Sequence, residues 1–323
     1  MPVFLSSLNQ SGHLERIHLT ICNVGSRKLG IEHDYGSQDW GIFAPRLTIY
    51  GFDVDADACD AANADLDARQ VSWTEKHIPL ALSDSIGEST LYVTKHPMCS
   101  SLYPPNEPYL ERFVAIADLM NLDFTVGIET TTLDAFCQSE GIQEIDFLQT
   151  DVQGADLQVL EGASQLLEGS LLALKTEVEF SYLYRNQPLF ADVDLYLRKK
   201  GFTLFDIDKA HRSRARSPIR SAAHPGQLLW ADAFYFRDLI QEGVSSYLRT
   251  PERILKLACI ADILDFPDYA LELLEYLTLN YGNDTNYNFA DNIIESLTQF
   301  PELVQRGLDS LPIISRIRGY ASR

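Results

Sequence analysis

The chain has 323 residues, of which 46% are hydrophobic, 22% charged and 11% aromatic, a composition that excludes a disordered tail, a collagen and a coiled coil. Its formal net charge is −20, and so acidic a protein repels phosphate backbones, which argues against nucleic-acid binding. The sequence has no run of about 18 apolar residues, so no membrane span is predicted. The first twenty residues hold no apolar stretch of signal-peptide length, and we therefore expect a cytoplasmic location.

Charge and secondary-structure pattern both change along the chain. Residues 1–208 carry 32 acidic and 13 basic residues, whereas residues 239–323 carry 12 acidic and 7 basic ones. Strand-like runs end near residue 238, and helical periodicity follows. The sequence predicts a first domain over 1–238 and a helical C-terminal domain over 239–323, whose helices also offer a surface for a homo-oligomer.

Short β-branched apolar runs alternate with helical patterns in the first part. Strands are predicted at 16–24, 47–54, 78–82, 89–94, 145–150, 171–178, 202–207 and 233–236. Helices are predicted at 55–69, 155–168 and 192–200, and beyond residue 238 at 254–264, 269–277 and 288–300. This order predicts an α/β fold with a mostly parallel sheet covered by helices on both faces, and an appended all-helical region.

The five cysteines are too far apart in the sequence for a zinc motif or a regular disulfide framework. We interpret them as small buried hydrophobic residues. No metal site is predicted.

Ligands of an open parallel sheet bind at the carboxyl ends of the strands, near the switch point in strand order. The segments that follow the predicted strands there are 23–30, 53–55, 82–84, 151–154 and 177–179. Asp53 ends the second strand, where an acid can accept hydrogen bonds from both ribose hydroxyls of an adenosine ligand; a helix cap is the alternative. Gly25 and Gly30 are weaker signals, because their segment lacks the full G-x-G-x-x-G spacing.

The segment DFLQTDVQGADLQVLEGA at 146–163 resembles the signature of FkbM-type methyltransferases. Further segments follow in that family's order: GFDVDADAC at 51–59, ALSDSIGESTLYV at 81–93, SSLYP at 100–104, TLDAF at 132–136 and EVEFSYLYRNQPLFADVDLYLRKKGF at 177–202. The resemblance covers residues 16–238 and leaves the C-terminal helices outside. It implies the Rossmann-like class I methyltransferase fold, with six parallel strands and one antiparallel strand at the edge of a seven-stranded sheet.

The resemblance also implies a reaction, the O-methylation of a hydroxyl group with S-adenosylmethionine as cofactor. The acceptor expected is a small molecule or glycan, such as a sugar or a secondary metabolite. The residues predicted to bind the cofactor are Asn23, Gly25, Ser26, Asp53, Val54, Leu82, Ser83, Asp84 and Asp151. Asn23, Gln149 and Gln153 depart from the family pattern, in which aspartate, lysine and glutamate are common at these positions.

Methyl transfer to a hydroxyl requires that the reacting atoms are aligned and that a carboxylate or histidine removes the proton. Asp151 and Glu177 follow neighbouring strands, so both are predicted to be catalytic. The alternatives are a helix N-cap for Asp151, and an ion pair with Lys175 or Arg185 for Glu177. His96 is interpreted as a surface histidine, with a catalytic base as the alternative.

Residues 209–220 form a basic stretch, with five basic residues and no acidic one. Arg212, Arg214 and Arg216 alternate, so an extended chain directs all three to one side. Guanidinium groups suit a phosphate or carboxylate. The sequence predicts that these arginines bind an anionic group of the acceptor, and a solvated loop is the alternative.

Two other functions stay open on the sequence alone. The departures at Asn23, Gln149 and Gln153 are also compatible with a cofactor-binding or scaffold protein whose methyl-transfer site has decayed. A dinucleotide oxidoreductase uses a similar sheet, but the absent G-x-G-x-x-G motif argues against it.

Overall fold

The computed structural model of the protein describes residues 1–28 and 34–322, so Gly30 lies outside the described residues. The strands are β1 (Leu19–Val24), β2 (Leu47–Asp53), β3 (Thr74–Pro79), β4 (Ala81–Leu82), β5 (Gly87–Thr94), β6 (Leu122–Thr131), β7 (Phe147–Thr150), β8 (Ala173–Glu179), β9 (Thr203–Arg212) and β10 (Gln227–Phe236). The helices are α1 (Leu5–Gln10), α2 (Ala56–Arg69), α3 (Glu107–Leu110), α4 (Ala117–Met120), α5 (Leu133–Glu140), α6 (Asp156–Glu161), α7 (Ser164–Glu168), α8 (Phe190–Lys199), α9 (Pro251–Ile263), α10 (Pro267–Tyr281), α11 (Ala290–Leu297), α12 (Pro301–Arg306) and α13 (Pro312–Ile317). Within the described ranges, none of these helices combines the length and the apolar composition that crossing a membrane requires.

Seven strands form one sheet in the order β3-β2-β1-β7-β8-β10-β9. The first five strands in this order are parallel to one another, and β10 is antiparallel to both β8 and β9. The predicted class I methyltransferase fold is thereby confirmed. The expected place of the antiparallel strand is wrong, because β10 turns back beside β9 and leaves β9 at the edge. The strand order reverses between β1 and β7, which opens a crevice at their carboxyl ends.

The two faces of the sheet bury different side chains because successive residues of a strand point to opposite sides. In β1, Leu19 and Ile21 belong to a buried cluster with the N-terminal and C-terminal helices. Cys22 and Val24 belong to the cluster on the other face, beneath α5 to α8. Both faces are therefore covered by helices, as the alternating pattern predicts.

The C-terminal helices pack directly on the sheet. Phe147 and Phe236 of the sheet share one buried cluster with residues of α9, α10, α11 and α13. The Asp262 carboxylate in α9 accepts hydrogen bonds from the backbone N–H groups of Val3, Phe4 and Leu5 at 2.8–3.0 Å, and so holds the first turn of α1. The division of the chain at residue 238 stays a prediction, as does a homo-oligomer formed through these helices.

A buried ion pair joins α9 to the sheet, and we expect its loss to destabilise the protein strongly. Lys256 Nζ lies 3.0 and 3.2 Å from the two carboxylate oxygens of Asp146, which also accepts a hydrogen bond from the Thr20 N–H. Because Lys256→Met leaves a buried carboxylate without its partner, the free energy of unfolding should fall by about 3–5 kcal/mol. Urea unfolding measures this change. The double variant with Asp146→Asn should recover part of the loss, and a single-variant effect below about 1 kcal/mol would contradict the anchoring role.

A second, three-stranded sheet in the order β4-β6-β5 was only partly predicted. The sequence indicates β5 and β4, but no strand was predicted at β6, most of whose residues are exposed. The helix expected at 155–168 is divided into α6 and α7 near Gly162, where a Cβ would lie 2.1 Å from the carbonyl oxygen of Ser83.

Candidate active site

Two cavities adjoin at the carboxyl ends of the central strands. The first, of about 480 Å³, lies beyond β1 and β2. The second, of about 330 Å³, lies beyond β8. Met98, Asp151 and Gln153 line both cavities, so the segment that follows β7 forms their common wall.

Gly25 makes the turn between β1 and the first cavity. Its φ is +84°, and a Cβ at this position would lie 2.0 Å from the carbonyl oxygen of Asp151. The N–H groups of Gly25 and Ser26 both donate to the Phe52 carbonyl at 2.9 Å. Only a residue without a side chain lets the β1 turn approach the β7 turn this closely.

Asp53 ends β2 at the floor of the first cavity. One of its oxygens, Oδ1, accepts a hydrogen bond from the Asp55 N–H at 2.9 Å, while Asp55 itself caps α2 and pairs with Arg27. Burial raises the pKa of Asp53, although the Asp55 N–H and the Arg27 charge oppose that rise. Asp53 is therefore not the helix cap. It lines the cavity, and its carboxylate can accept further hydrogen bonds.

The structure brings together five of the nine predicted cofactor residues. Those that line the first cavity are Gly25, Asp53, Val54, Leu82 and Asp151. The other four do not line it: Asn23, Ser26, Ser83 and Asp84. Ser26 turns inward to His77, with Oγ and Nδ1 3.0 Å apart, and the exposed Asp84 accepts a hydrogen bond from the buried Ser83. Their roles in binding a cofactor stay predictions.

The second sheet closes the first cavity from above with apolar side chains. Leu91 and Val93 of β5 and Phe124 and Val126 of β6 line it. Phe124 is 54% exposed, so this wall still faces solvent on part of its surface. The cavity combines an apolar cover with the polar ends of β1, β2 and β7, a lining typical of small-molecule sites.

Gln153 connects the carboxylates between the two cavities. Its side-chain Nε2 donates to Asp151 Oδ1 at 2.8 Å and to Glu177 Oε2 at 3.0 Å. Its Oε1 lies 3.0 Å from the Tyr184 hydroxyl, and its carbonyl accepts a hydrogen bond from Ser101 Oγ at 2.7 Å. The glutamine at position 153, where the family commonly has glutamate, therefore suits this site. Its amide donates to two carboxylates, whereas a glutamate carboxylate would repel them.

The two predicted catalytic residues meet in the second cavity, and neither alternative applies to them. Asp151 does not cap α6, whose N-cap is Ala155 without a side-chain hydrogen bond. Lys175 pairs with Asp232 at 2.7 Å, and among the described residues no ion pair joins Glu177 to Arg185. The sequence therefore placed Asp151 and Glu177 at one site, and their catalytic roles stay predictions.

Four carboxyl groups here have raised pKa values, and burial is the largest cause for each: Asp151, Asp156, Glu177 and Glu179. For Asp151 the Gln153 N–H opposes that rise. The Asp151 charge adds to the effect of burial on Glu177 and raises its pKa well above the ordinary value. Asp156 and Glu179 also border Glu177, and burial followed by the Asp151 charge raises the pKa of Asp156 to about 7. A carboxylate whose pKa is raised takes up a proton more readily than an ordinary carboxylate does.

The three predicted substrate arginines are in different surroundings. Arg212, at the end of β9, lines the second cavity and lies over the Trp230 ring at 4.4 Å. Arg214 lies over the Phe113 ring at 4.5 Å, outside both cavities. Arg216 is exposed and lines neither cavity. Of the basic stretch, Arg212 is the residue that reaches the carboxylates' cavity.

Other residues of the site were missed or underrated by the sequence analysis. Glu179 and Tyr184 line the second cavity, and Arg27 lines the first. Glu179 could have been found, since it follows Glu177 by two residues on a strand and shares its face. His96, interpreted as a surface histidine, is exposed but lines the second cavity. Cys99 lines it too, and the other four cysteines are buried as expected.

The other two departures from the family pattern lie near β1 and β7. The Tyr35 hydroxyl donates to Gln149 Oε1. The Oδ1 atom of Asn23 is buried and accepts no hydrogen bond from the described residues. Gln149 therefore has a hydrogen-bond partner within the fold, whereas Asn23 Oδ1 remains available as an acceptor at the end of β1.

Residues 51–204 match the family model described as the methyltransferase FkbM domain. Over 77 residues, 24% of this chain, the sequence is 35% identical to the 2-O-methyltransferase NoeI of Sinorhizobium fredii. This match spans about a third (31%) of the length of that curated relative.

The comparison with solved structures matches this chain to several methyltransferases, two of which follow. The methyltransferase FkbM from Methylobacillus flagellatus has a TM-score of 0.37 and 12% sequence identity, with 69% of this chain and 45% of that chain covered. A SAM-dependent methyltransferase from Aquifex aeolicus has a TM-score of 0.31 and 10% identity, with 72% of this chain and 89% of that chain covered.

Proposed function

We propose that the protein, whose residues 51–204 match the methyltransferase FkbM domain, transfers a methyl group from S-adenosylmethionine to a hydroxyl of a sugar, glycan or secondary metabolite. The observation that carries this proposal is the pair of adjoining cavities. One lies at the ends of β1 and β2, the other at the end of β8, and Asp151 and Gln153 line both. A two-substrate transfer needs such an arrangement, because the reacting atoms must meet at a common wall.

The first cavity has features that fit S-adenosylmethionine. Gly25 and Asp151 both line this cavity, and the absence of a Cβ at Gly25 lets the β1 turn lie close to the β7 turn. Asp53 would accept hydrogen bonds from the ribose hydroxyls, and Leu80, Ala81 and Leu82 supply an apolar edge for the adenine ring. When bound, the cofactor supplies an electrophilic methyl group on a sulfonium.

The second cavity would hold the acceptor hydroxyl. Asp151 would accept the hydroxyl proton on a carboxylate oxygen, and its raised pKa favours that uptake. Gln153 positions Asp151 and Glu177 through its two N–H bonds. The cover formed by β5 and β6 would exclude water from the first cavity. We further propose that the atom methylated is an oxygen. The partial match to NoeI, which is a 2-O-methyltransferase, supports this choice.

The function is tested by turnover. The full chain is incubated with S-adenosylmethionine and a panel of neutral, carboxylated and phosphorylated sugars and glycosides. We expect S-adenosylhomocysteine and a product one methyl group heavier in equal amounts, both detected by mass spectrometry. Binding of S-adenosylmethionine without release of S-adenosylhomocysteine from any acceptor would favour the decayed scaffold. Binding of NAD in its place would favour an oxidoreductase.

Asp53→Ala should weaken S-adenosylmethionine binding tenfold or more, as measured by calorimetry. Its carboxylate would lose two ribose hydrogen bonds, and hydrogen bonds to a charged group contribute about 1.5–3 kcal/mol each. Asp84→Ala is the matched control, because Asp84 was also predicted to bind the cofactor but does not line the cavity. Equal affinities of the two variants would contradict the role of Asp53.

We also propose that Arg212 binds an anionic group of the acceptor. It lines the second cavity, whereas Arg216 is exposed and lines neither. Arg212→Gln should raise the KM for a carboxylated or phosphorylated acceptor about tenfold, because a charged hydrogen bond is lost. Arg216→Gln should leave that KM unchanged. The Kd for S-adenosylmethionine should not change in either variant, and equal KM values would contradict the anionic acceptor.

A further inference from the structure

Three carboxylates from two elements converge beside the second cavity. Asp156 lies at the start of α6, and Glu177 and Glu179 end β8. One oxygen of each lies within 4.8 Å of an oxygen of the other two. A divalent cation bound at about 2.0–2.1 Å holds neighbouring oxygens about 3 Å apart and opposite ones about 4 Å apart. Small side-chain movements would therefore close these three groups around one ion.

Two members of this cluster are buried and have carboxylate oxygens that accept no hydrogen bond of ordinary geometry. Asp156 is 2% exposed and Glu179 3% exposed. Neither oxygen of Asp156 accepts a hydrogen bond of ordinary geometry, although Thr150, Val152 and Gly154 bring donors nearby. Glu179 Oε1 accepts none either, although the Gln187 side chain brings a donor near this carboxylate. Native proteins rarely leave buried carboxylate oxygens unsatisfied, because the cost of removing them from water is then not offset.

No basic side chain neutralises the cluster within the part of the chain that the structure describes. None of the ion pairs found there includes Asp156, Glu177 or Glu179. Lys175, on the same strand as Glu177, is paired with Asp232. The cluster thus combines convergent oxygens, unused acceptors and uncompensated acidic groups.

We propose that Asp156, Glu177 and Glu179 bind a hard divalent cation of the magnesium type. All three ligands are carboxylate oxygens, which suit Mg²⁺ and Mn²⁺ and disfavour the softer metals. The cysteine spacings indicate no zinc site, so the sequence predicts no metal, whereas the three carboxylates come together from α6 and β8. Glu177 and Glu179 line the second cavity, so the remaining coordination positions would be open to water or to an acceptor oxygen. A bound cation would also let an anionic acceptor approach these acidic groups.

The cation site does not depend on the proposed methyl transfer, and it is tested without cofactor or acceptor. The full chain is titrated with Mn²⁺, and free Mn²⁺ is measured by electron paramagnetic resonance. We expect one site per chain, with competition by Mg²⁺. Asp156→Asn and Glu179→Gln should each weaken Mn²⁺ binding at least tenfold, whereas Glu88→Gln, an exposed control on β5, should not.

A second measurement uses the tryptophan next to the site and avoids variants in the cluster. Trp230 lies opposite Glu179 in the β8–β10 pairing and lines the second cavity. Mn²⁺ should quench tryptophan fluorescence in the wild-type chain, and Trp230→Phe should abolish this quenching without loss of Mn²⁺ binding. The proposal is overturned if millimolar Mn²⁺ does not bind, which would indicate a cluster of protonated carboxyls. It is equally overturned if binding is unchanged in both cluster variants, or if quenching persists in Trp230→Phe.

Discussion

Asp151→Asn should lower kcat by a factor of about 10²–10⁴, the range over which a positioned general base accelerates a reaction. Asparagine has nearly the same shape, so it can keep its place between the two cavities. Its amide cannot take up the proton of an acceptor hydroxyl. The measurement is the initial rate of S-adenosylhomocysteine release with an acceptor identified from the panel.

The same variant separates two roles of Asp151, since this residue lines both cavities. A proton-accepting role predicts a lower kcat with an almost unchanged Kd for S-adenosylmethionine. If the Kd rises and kcat at saturating cofactor is retained, Asp151 holds the cofactor and is not the base. Asp123→Asn is the control, because Asp123 lines only the first cavity and is exposed. It should keep its activity.

The alternation of strands and helices and the main wall of the site could be predicted because they depend on local patterns. A β-branched run that ends in a polar residue fixes where a parallel strand stops, and such ends meet at one edge of the sheet. Asp53 and Asp151 follow strands of this kind, and both line the first cavity. Glu177, near the end of β8, was located by the same argument.

Tyr184, which could not be found from the sequence, lies on a part of the chain without such a pattern. Tyr184 follows β8 in an irregular segment, yet its hydroxyl reaches both Gln153 and the Cys99 carbonyl. The hydrogen bond from Tyr184 to the Cys99 carbonyl joins residues that are 85 positions apart in the sequence. No local spacing of residues could therefore reveal it. Conversely, Ser26 and Ser83 come directly after strands but turn into the protein, where both are buried. Position after a strand predicts proximity to the site, while side-chain direction depends on the local turn.

The exposed strand β6 was missed for a related reason. Most of its residues face solvent, including Leu122, Phe124 and Val126, so the usual alternation of buried and exposed residues does not apply to it. The strand is held by its pairing with β5 along most of its length. Phe124 and Val126 then line the first cavity. Exposed apolar side chains on β6 are thus explained by the cavity wall that they form.

Gly25→Ala adds a single methyl group, but it should strongly impair both cofactor binding and turnover. The positive φ of +84° alone costs alanine about 1–2 kcal/mol, and the new methyl group would lie 2.0 Å from the carbonyl oxygen of Asp151. Neither turn can easily move away. The Gly25 N–H is bonded to Phe52, and the Asp151 N–H is bonded to the Val24 carbonyl at 3.0 Å.

The clash therefore displaces Asp151, the residue common to both cavities. We expect the Kd for S-adenosylmethionine to rise at least tenfold. We also expect kcat/KM to fall at least 100-fold, since a misplacement of about 1 Å can cost that much. Gly127→Ala in β6 is the matched control, because a Cβ there meets no atom within 4 Å and its φ is not positive. Thermal unfolding of both variants establishes that the chain is folded at the assay temperature. If Gly25→Ala then binds cofactor and turns over like Gly127→Ala, the close approach of the β1 and β7 turns is not what builds the site.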